Sequence, residues 1–368
     1  MITKICLENF KAFREIEIEV FPLTLFTGKN GMGKSSLIQS LLLLRQSFLL
    51  DKSLSELTLK GNLVNIGYGK DLLNIYGKDK ISFQIDFINN ESFCLSYLPT
   101  LDSDKLSSIE KIEISPVIAQ SPLFSNKFQY LNAERISPKL TYEASPHSVD
   151  VLKTLGEKGQ YTVHFLDKYK FEPLPLLALK HCLAKSNTLL DNVNAWLSEI
   201  SSEIRVKPRF HPELQISTLN YEFIDKGDTT PEFSSLNTGF GITYVLPIIV
   251  AILSAQKGDL LIFENPESHL HPKGQALLGH LIARAAQEGI QILVESHSDH
   301  LFNGMRVAIK ENILSANNFG IYFFEREKDE HSINIEQPFV DKNGRLSSQP
   351  EDFFDEYTKQ LTQIIRRN

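Results

Sequence analysis

Hydrophobic and polar positions change period several times along this chain, and each change marks an element. Residues 2–8 and 15–20 alternate apolar with polar, as half-buried strands do, and a turn over 9–13 separates them. Leu23 to Thr27 is a short apolar run that reads as a strand, and Ser36 to Arg45 follows as a helix. After a glycine-punctuated stretch at 63–70, residues 81–87 alternate as another strand. From about Glu91 to Phe233 the pattern breaks up. Prolines at 116, 122, 138, 146, 173, 175, 208 and 212 interrupt it, and no heptad persists. Long coiled-coil arms are thereby excluded, and a compact inserted lobe of strands and helices is expected. Its clearest helix spans 189–200, with Leu190, Val193, Leu197 and Ile200 on one face. Further on come an apolar helix at 242–254, a strand at 259–264, a helix at 275–287 and a strand from Ile292. A hairpin is predicted over 319–324 and 332–336 around a charged turn at 325–330. A turn at 341–344 and a closing helix at 356–365, with Tyr357, Leu361, Ile364 and Ile365 apolar, complete the chain. Strands and helices interleaved in this way predict an α/β fold.

The junction between the strand at 23–27 and the helix that follows carries the chemistry. Gly28, Lys29, Asn30, Gly31, Met32, Gly33, Lys34 and Ser35 fit G-x-x-x-x-G-K-[ST] at every position, with Ser36 at the helix mouth. The glycines let the backbone curl so that successive N–H groups face phosphate oxygens. The helix N-terminus adds its partial positive charge. Lys34 is expected to reach the β- and γ-phosphates, and the Ser35 hydroxyl to ligate Mg²⁺. A nucleoside triphosphate site follows.

Composition narrows the setting. With 368 residues, 42% hydrophobic and 23% charged, the chain is long enough for one large domain or two and ordinary in make-up. A net charge of −7 provides no overall basic field for nucleic acid. Cys6, Cys94 and Cys182 are far apart and form no C-x-x-C pair, which argues for a reducing compartment and against structural zinc. The N-terminus opens on a strand pattern, not a secretion signal. The most apolar run, Tyr244 to Ala255, is too short for a bilayer and contains Pro247. A cytoplasmic location with no membrane partner is expected.

Other candidates lie downstream. Gln129 and Arg135 flank the end of a short apolar run at 130–131 and are expected as accessory groups, with Arg135 reaching a phosphate, a partner subunit or only its neighbour Glu134. Asn237, Thr238, Gly239, Phe240 and Gly241 put glycines at the mouth of the apolar helix, an anion-binding arrangement or a plain helix cap. The strand at 259–264 ends in Glu264 at its C-terminal edge, where open α/β sheets bind ligands, and Glu264 is expected to hold Mg²⁺ opposite Ser35. Glu267 follows two residues after Asn265. The next strand ends in Ser296, His297 and Ser298. Glu267, His269, His271, Asp299 and His300 have spacings that can serve a transition metal.

Together, residues 28–35, 264–272 and 295–300 and the ending from Gly344 to Asp355 resemble the AAA/ABC-type ATPases related to the OLD (overcoming lysogenization defect) proteins. The turn over 9–13 resembles the opening of the SMC and DNA-repair branch of the same ATPases. The resemblance implies an α/β, SMC-like P-loop ATPase head with an inserted α+β lobe. Its parts would be 1–90 with the phosphate loop, 91–232 as the lobe, 233–310 as the second half of the head and 311–368 as a small C-terminal hairpin-plus-helix region. It makes 237–241 a divergent signature motif acting in trans, His297 the switch histidine, and 269–272 the D-loop, which displaces the transition-metal reading. It implies an ATP-dependent dimer or a higher oligomer. OLD proteins proper carry a Toprim nuclease, and none is expected here. Toprim-less relatives occur in antiphage defence loci beside a separate effector such as an HNH nuclease. An ATPase that senses or regulates is therefore expected, with nucleic acid a further partner to consider. A DNA-repair ATPase and a transporter subunit are the alternatives. The family places Asp then Glu where Glu264 and Asn265 stand, with the second acid as general base. An amide cannot take that proton, so slow hydrolysis is expected, with Glu267 as the replacement.

Overall fold

The computed structural model describes all residues except 78–79, 111–112, 202, 226–227, 238, 327–332, 349, 351–355 and 366–368. The N-terminal alternation forms strands β1 (Ile2–Phe10) and β2 (Phe13–Glu19) around a tight turn, and the apolar run forms β3 (Leu23–Gly28). Helix α1 (Lys34–Leu50) starts inside the phosphate loop. Then come β4 (Ile81–Phe87), β5 (Ser92–Tyr97) and β6 (Phe128–Leu131). The lobe contributes α2 (Thr162–Tyr169), α3 (Leu189–Ile200) and the hairpin β7 (Ile204–His211) and β8 (Ile216–Asp225). The last third holds α4 (Phe240–Ser254), β9 (Leu260–Glu264), α5 (Pro272–Gln287), β10 (Gln291–Glu295) and α6 (Asp299–Lys310). Strands β11 (Phe319–Arg326) and β12 (Ile333–Glu336) and helix α7 (Glu356–Ile365) end the described chain.

Among the described residues, six strands make the central sheet in the order β12-β11-β3-β10-β9-β6. All its neighbours are parallel except the edge strand β12. Alternate residues of each strand enter two separate cores. Leu25, Phe263, Val294 and Ile321 face the helices α3 to α6 and the lobe. Phe26, Ile262, Leu293 and Tyr322 face α1 and a second, antiparallel sheet of order β2-β1-β4-β5. Burial on both faces explains why these strands read as continuous apolar runs while β2 alternates. The buried side chain of Gln291 ties the two sheets together: its Oε1 accepts from the Ile2 N–H at 2.8 Å and its Nε2 donates to the Ile2 carbonyl at 2.7 Å.

Two expected boundaries fall differently. Ser92–Tyr97 belongs to the antiparallel sheet and Phe128–Leu131 to the central one, so the stretch from 91 to 232 is not a single inserted lobe. The residues between and after these strands leave and re-enter the head. Likewise the C-terminal hairpin is no appendage, because Phe319–Phe324 of β11 pair in parallel with all of β3. All four residues of β6 are buried, so its short apolar pattern had no period to set it apart from its proline-rich surroundings. Ser332 and most of the charged turn, together with residues 351–355 of the ending, lie outside the described residues.

Candidate active site

Three parallel strands, β3, β10 and β9, end side by side, and the candidate residues stand at those ends. Gly28 closes β3 with φ +128°, and a Cβ there would come within 2.2 Å of the Phe324 carbonyl on β11, so only glycine fits. Gly31 and Gly33 also have positive φ, which turns the loop back toward α1. Phe13, at the start of β2, packs under Gly33 and supports the loop from below. Lys34 is buried, and its ammonium donates to the carbonyls of Gly28 at 2.9 Å and Lys29 at 2.7 Å. Burial lowers its pKa, opposed by the charge of Glu295.

Strand β9 delivers Glu264. Its Oε1 accepts from the Tyr130 hydroxyl at 3.0 Å and its Oε2 from the Ala133 N–H at 3.3 Å. Asn265 follows with φ +44°, a left-handed conformation that asparagine tolerates better than glutamate. Its N–H donates to the Glu295 carbonyl at 2.8 Å, while its own side-chain oxygen is buried without a partner. Glu267 is buried beyond the turn; its Oε1 accepts from the His297 N–H at 3.3 Å and its Oε2 has no partner. Burial raises the pKa of both Glu264 and Glu267.

Arg135 is a clamp. Its guanidinium donates to the carbonyls of Asn132 at 2.9 Å, Glu264 at 2.6 Å, Asn265 at 2.6 Å and Tyr244 at 3.2 Å, and it stacks on the Tyr244 ring at 4.3 Å. The Tyr244 hydroxyl donates to the Ala133 carbonyl. Burial lowers the Arg135 pKa to about 10, so it stays charged. All its hydrogen bonds go to main-chain oxygens of this chain. Gln129 sits within β6, where it bonds the Tyr130 and Gly156 carbonyls and accepts from Thr154 and Leu155, turned to the lobe and fully engaged.

The imidazole of His297 lies near the Gly28 backbone and the Lys34 ammonium. The residue is exposed as a whole, yet partial desolvation and the Lys34 charge lower its pKa, offset in part by the nearby Gly28 backbone. Thr238 lies outside the described residues. Its neighbours Asn237, Gly239, Phe240 and Gly241 form the entry to α4, and a Cβ on Gly241 would come within 2.4 Å of the His269 carbonyl. His269 packs against the rings of Phe240 and Tyr244, and the His271 ring accepts from the Lys273 N–H at the start of α5. Among the described residues, no group of three or more His, Cys, Asp or Glu is placed to hold a metal unaided.

Glu295 is the residue the sequence reasoning missed. It ends β10, paired in register with Glu264 on β9. Its Oε1 accepts from the Ser35 hydroxyl at 3.0 Å, and its buried Oε2 has no partner. Burial first, then the charge of Glu264, raises its pKa to about 7, against the bond from Ser35 and the Lys34 charge. The available signal was an acid at the end of an apolar strand, the same signal that pointed to Glu264. The loop and these acids fit a triphosphate with a divalent cation: positive-φ glycines open the backbone, a lysine lies in it, and buried carboxylate oxygens lack donors.

A pH prediction follows from Glu295. A carboxyl whose folded pKa is raised to about 7 from 4.5 is neutral at no cost below 4.5 and loses stability as pH rises through 7. The full shift corresponds to about 3 kcal/mol. Without divalent cations, Glu295→Gln is therefore expected to unfold at higher urea than the parent at pH 8. The gap should close near pH 4.5. A constant gap across that range would remove the buried charge as its cause.

Residues 23–303 match the family described as "AAA domain, putative AbiEii toxin, Type IV TA system", and residues 314–364 match "Protein of unknown function (DUF3696)". No curated protein matches. Among solved structures, an Smc head bound to the C-winged helix domain of ScpA is 15% identical with a TM-score of 0.56, over 92% of this chain and 98% of that one. An Smc head domain with an extended coiled coil, bound to the C-terminal domain of ScpA and derived from Pyrococcus furiosus, is 11% identical with a TM-score of 0.52, over 99% of each. The fold is thus the ABC-type α/β fold of SMC heads, and no long coiled coil is present among the described residues. Nor is any described helix long and apolar enough to cross a membrane. With its phosphate loop, acidic strand ends and AAA-domain match over most of its length, the chain belongs to this AAA-domain family of ATPases.

Proposed function

We propose that the chain binds ATP in the cradle of residues 28–36 and closes on a second copy across residues 237–241. In this reading it hydrolyses ATP slowly and regulates a separately encoded effector. The observation that carries the nucleotide reading is the convergence of the loop, Ser35, Glu264, Glu295 and His297 on the ends of three adjacent parallel strands. Mg²⁺, when bound, spreads the charge of the triphosphate and is held by Ser35 with a strand-end carboxylate. Lys34 lies where it can exchange its two carbonyl partners for phosphate oxygens. Neutral His297 stands beside Gly28, at the γ-phosphate end of such a loop.

Slow turnover rests on Asn265. Its amide cannot accept the proton of an attacking water, and its left-handed backbone disfavours the longer acid. Glu267 is the nearest remaining base, and burial moves its pKa toward the working range of one. Lys34→Ala is expected to abolish binding of a fluorescent ATP analogue. Glu267→Gln is expected to keep binding and lower turnover by about 10²-fold or more. Binding undiminished in Lys34→Ala would end the nucleotide reading.

The open side of the signature segment supports a site completed in trans. Phe240 is 56% exposed, and a side chain on Gly239 would meet nothing within 4 Å. Gly239→Arg thus leaves the fold alone, whereas Gly241 is packed on His269. The variant is expected to bind ATP normally but to sediment as a monomer where the parent forms an ATP-dependent dimer. A normal dimer would return residues 237–241 to a helix cap.

A family description that names a toxin and a toxin–antitoxin system supports a defence role, and the sequence resemblance to OLD-related ATPases leads to the same reading. The effector, a nuclease of HNH type in that reading, resides on another chain. Expression from the native locus is expected to co-purify it, and recovery of this chain alone would count against the partnership.

A further inference from the structure

Glu264 and Glu295 end neighbouring strands in register, yet their surroundings differ. Both oxygens of Glu264 already accept from protein donors, Tyr130 and Ala133. Glu295 is 6% exposed, and its Oε2 has no donor at all. A buried carboxylate oxygen without a donor is costly, and a cation is one of the few partners that removes the cost. The other carboxylate oxygen faces Ser35 Oγ at 3.0 Å. That spacing is informative. Two oxygens on adjacent corners of an Mg²⁺ octahedron, each bonded at 2.0–2.1 Å, lie about 2.9 Å apart. The pair is held by a hydrogen bond, and its 3.0 Å spacing lets both oxygens meet one cation with little movement once the hydroxyl proton turns away.

Building on the nucleotide reading above, we propose that Glu295, together with Ser35, is the protein ligand of the divalent cation, and that Glu264 acts behind it without touching the ion. Ser35 and Glu295 supply two hard oxygens, and phosphate oxygens and waters complete the set, as Mg²⁺ prefers. Glu264 is held away by Tyr130 and Ala133, and the Arg135 clamp fixes the carbonyls of Glu264 and Asn265. Glu264 shapes the field at the ion and excludes alternative positions of the strand end. The division of labour differs from the sequence expectation, in which Glu264 faces Ser35.

The test uses the full chain, a non-hydrolysable ATP analogue and Mn²⁺ as the probe, with bound Mn²⁺ read by electron paramagnetic resonance. Glu295→Gln is expected to raise the Mn²⁺ Kd by about 10-fold or more. Analogue binding in EDTA should be unchanged or tighter, since a negative charge has gone. Glu295→Asp keeps the charge on a shorter arm and should recover part of the affinity. Glu264→Gln should shift the Kd less than Glu295→Gln does. An unchanged Kd in Glu295→Gln, or a larger loss in Glu264→Gln, overturns the assignment. So does a metal-free Glu295→Gln protein that melts below the parent, because the residue would then be structural. If the parent binds no analogue, the nucleotide reading itself has failed. If the parent binds it and Glu295→Gln keeps its Mn²⁺, only this inference has.

Discussion

Glu264 and Glu295 end adjacent parallel strands in register, and two acids held side by side at a buried sheet edge constrain the structure around them. Burial raises the pKa of both, and the charge of Glu264 further raises the cost of ionising Glu295. The surrounding groups divide the compensation. Tyr130 and the Ala133 N–H serve Glu264, Ser35 serves one oxygen of Glu295, and Lys34 supplies the nearby positive charge. The remaining oxygen gives the site its bias toward a cation. In the reading proposed above, a bound cation relieves that oxygen and so stabilises the strand ends at neutral pH.

Arg135 extends that link beyond the sheet. One guanidinium joins the turn after β6, the end of β9 and the first turns of α4, and Tyr244 closes the circuit through its ring and hydroxyl. Helix α4 starts at the glycines expected to meet a partner's nucleotide, and Gly241 rests on His269 in the turn after β9. The α4 entry and the Asn265 turn are therefore joined by direct contacts. The close crossing of α5 and α6 braces the other side: added Cβ atoms on Gly279 and Gly304 would come within 2.1 Å and 2.0 Å of backbone carbonyls. The two helices that follow β9 and β10 are thus packed backbone to backbone.

Much of this was legible in the residues. The phosphate loop is continuous in sequence, so its pattern specified its strand, loop and helix. Helix 189–200 and strand 81–87 were readable because one apolar face sets a period. Local geometry also explains Asn265, whose side chain suits the left-handed turn it occupies. The tertiary structure decided what pairs with what. Periodicity identifies an element but not its neighbour, so it could not show that Phe128–Leu131 joins Leu260–Phe263, or that Phe319–Phe324 lies along Leu23–Gly28. The same limit hid Glu295. Ser35 and Glu295 are 260 residues apart, and only the order of strands in the sheet brings the hydroxyl to that acid and leaves Glu264 to Tyr130.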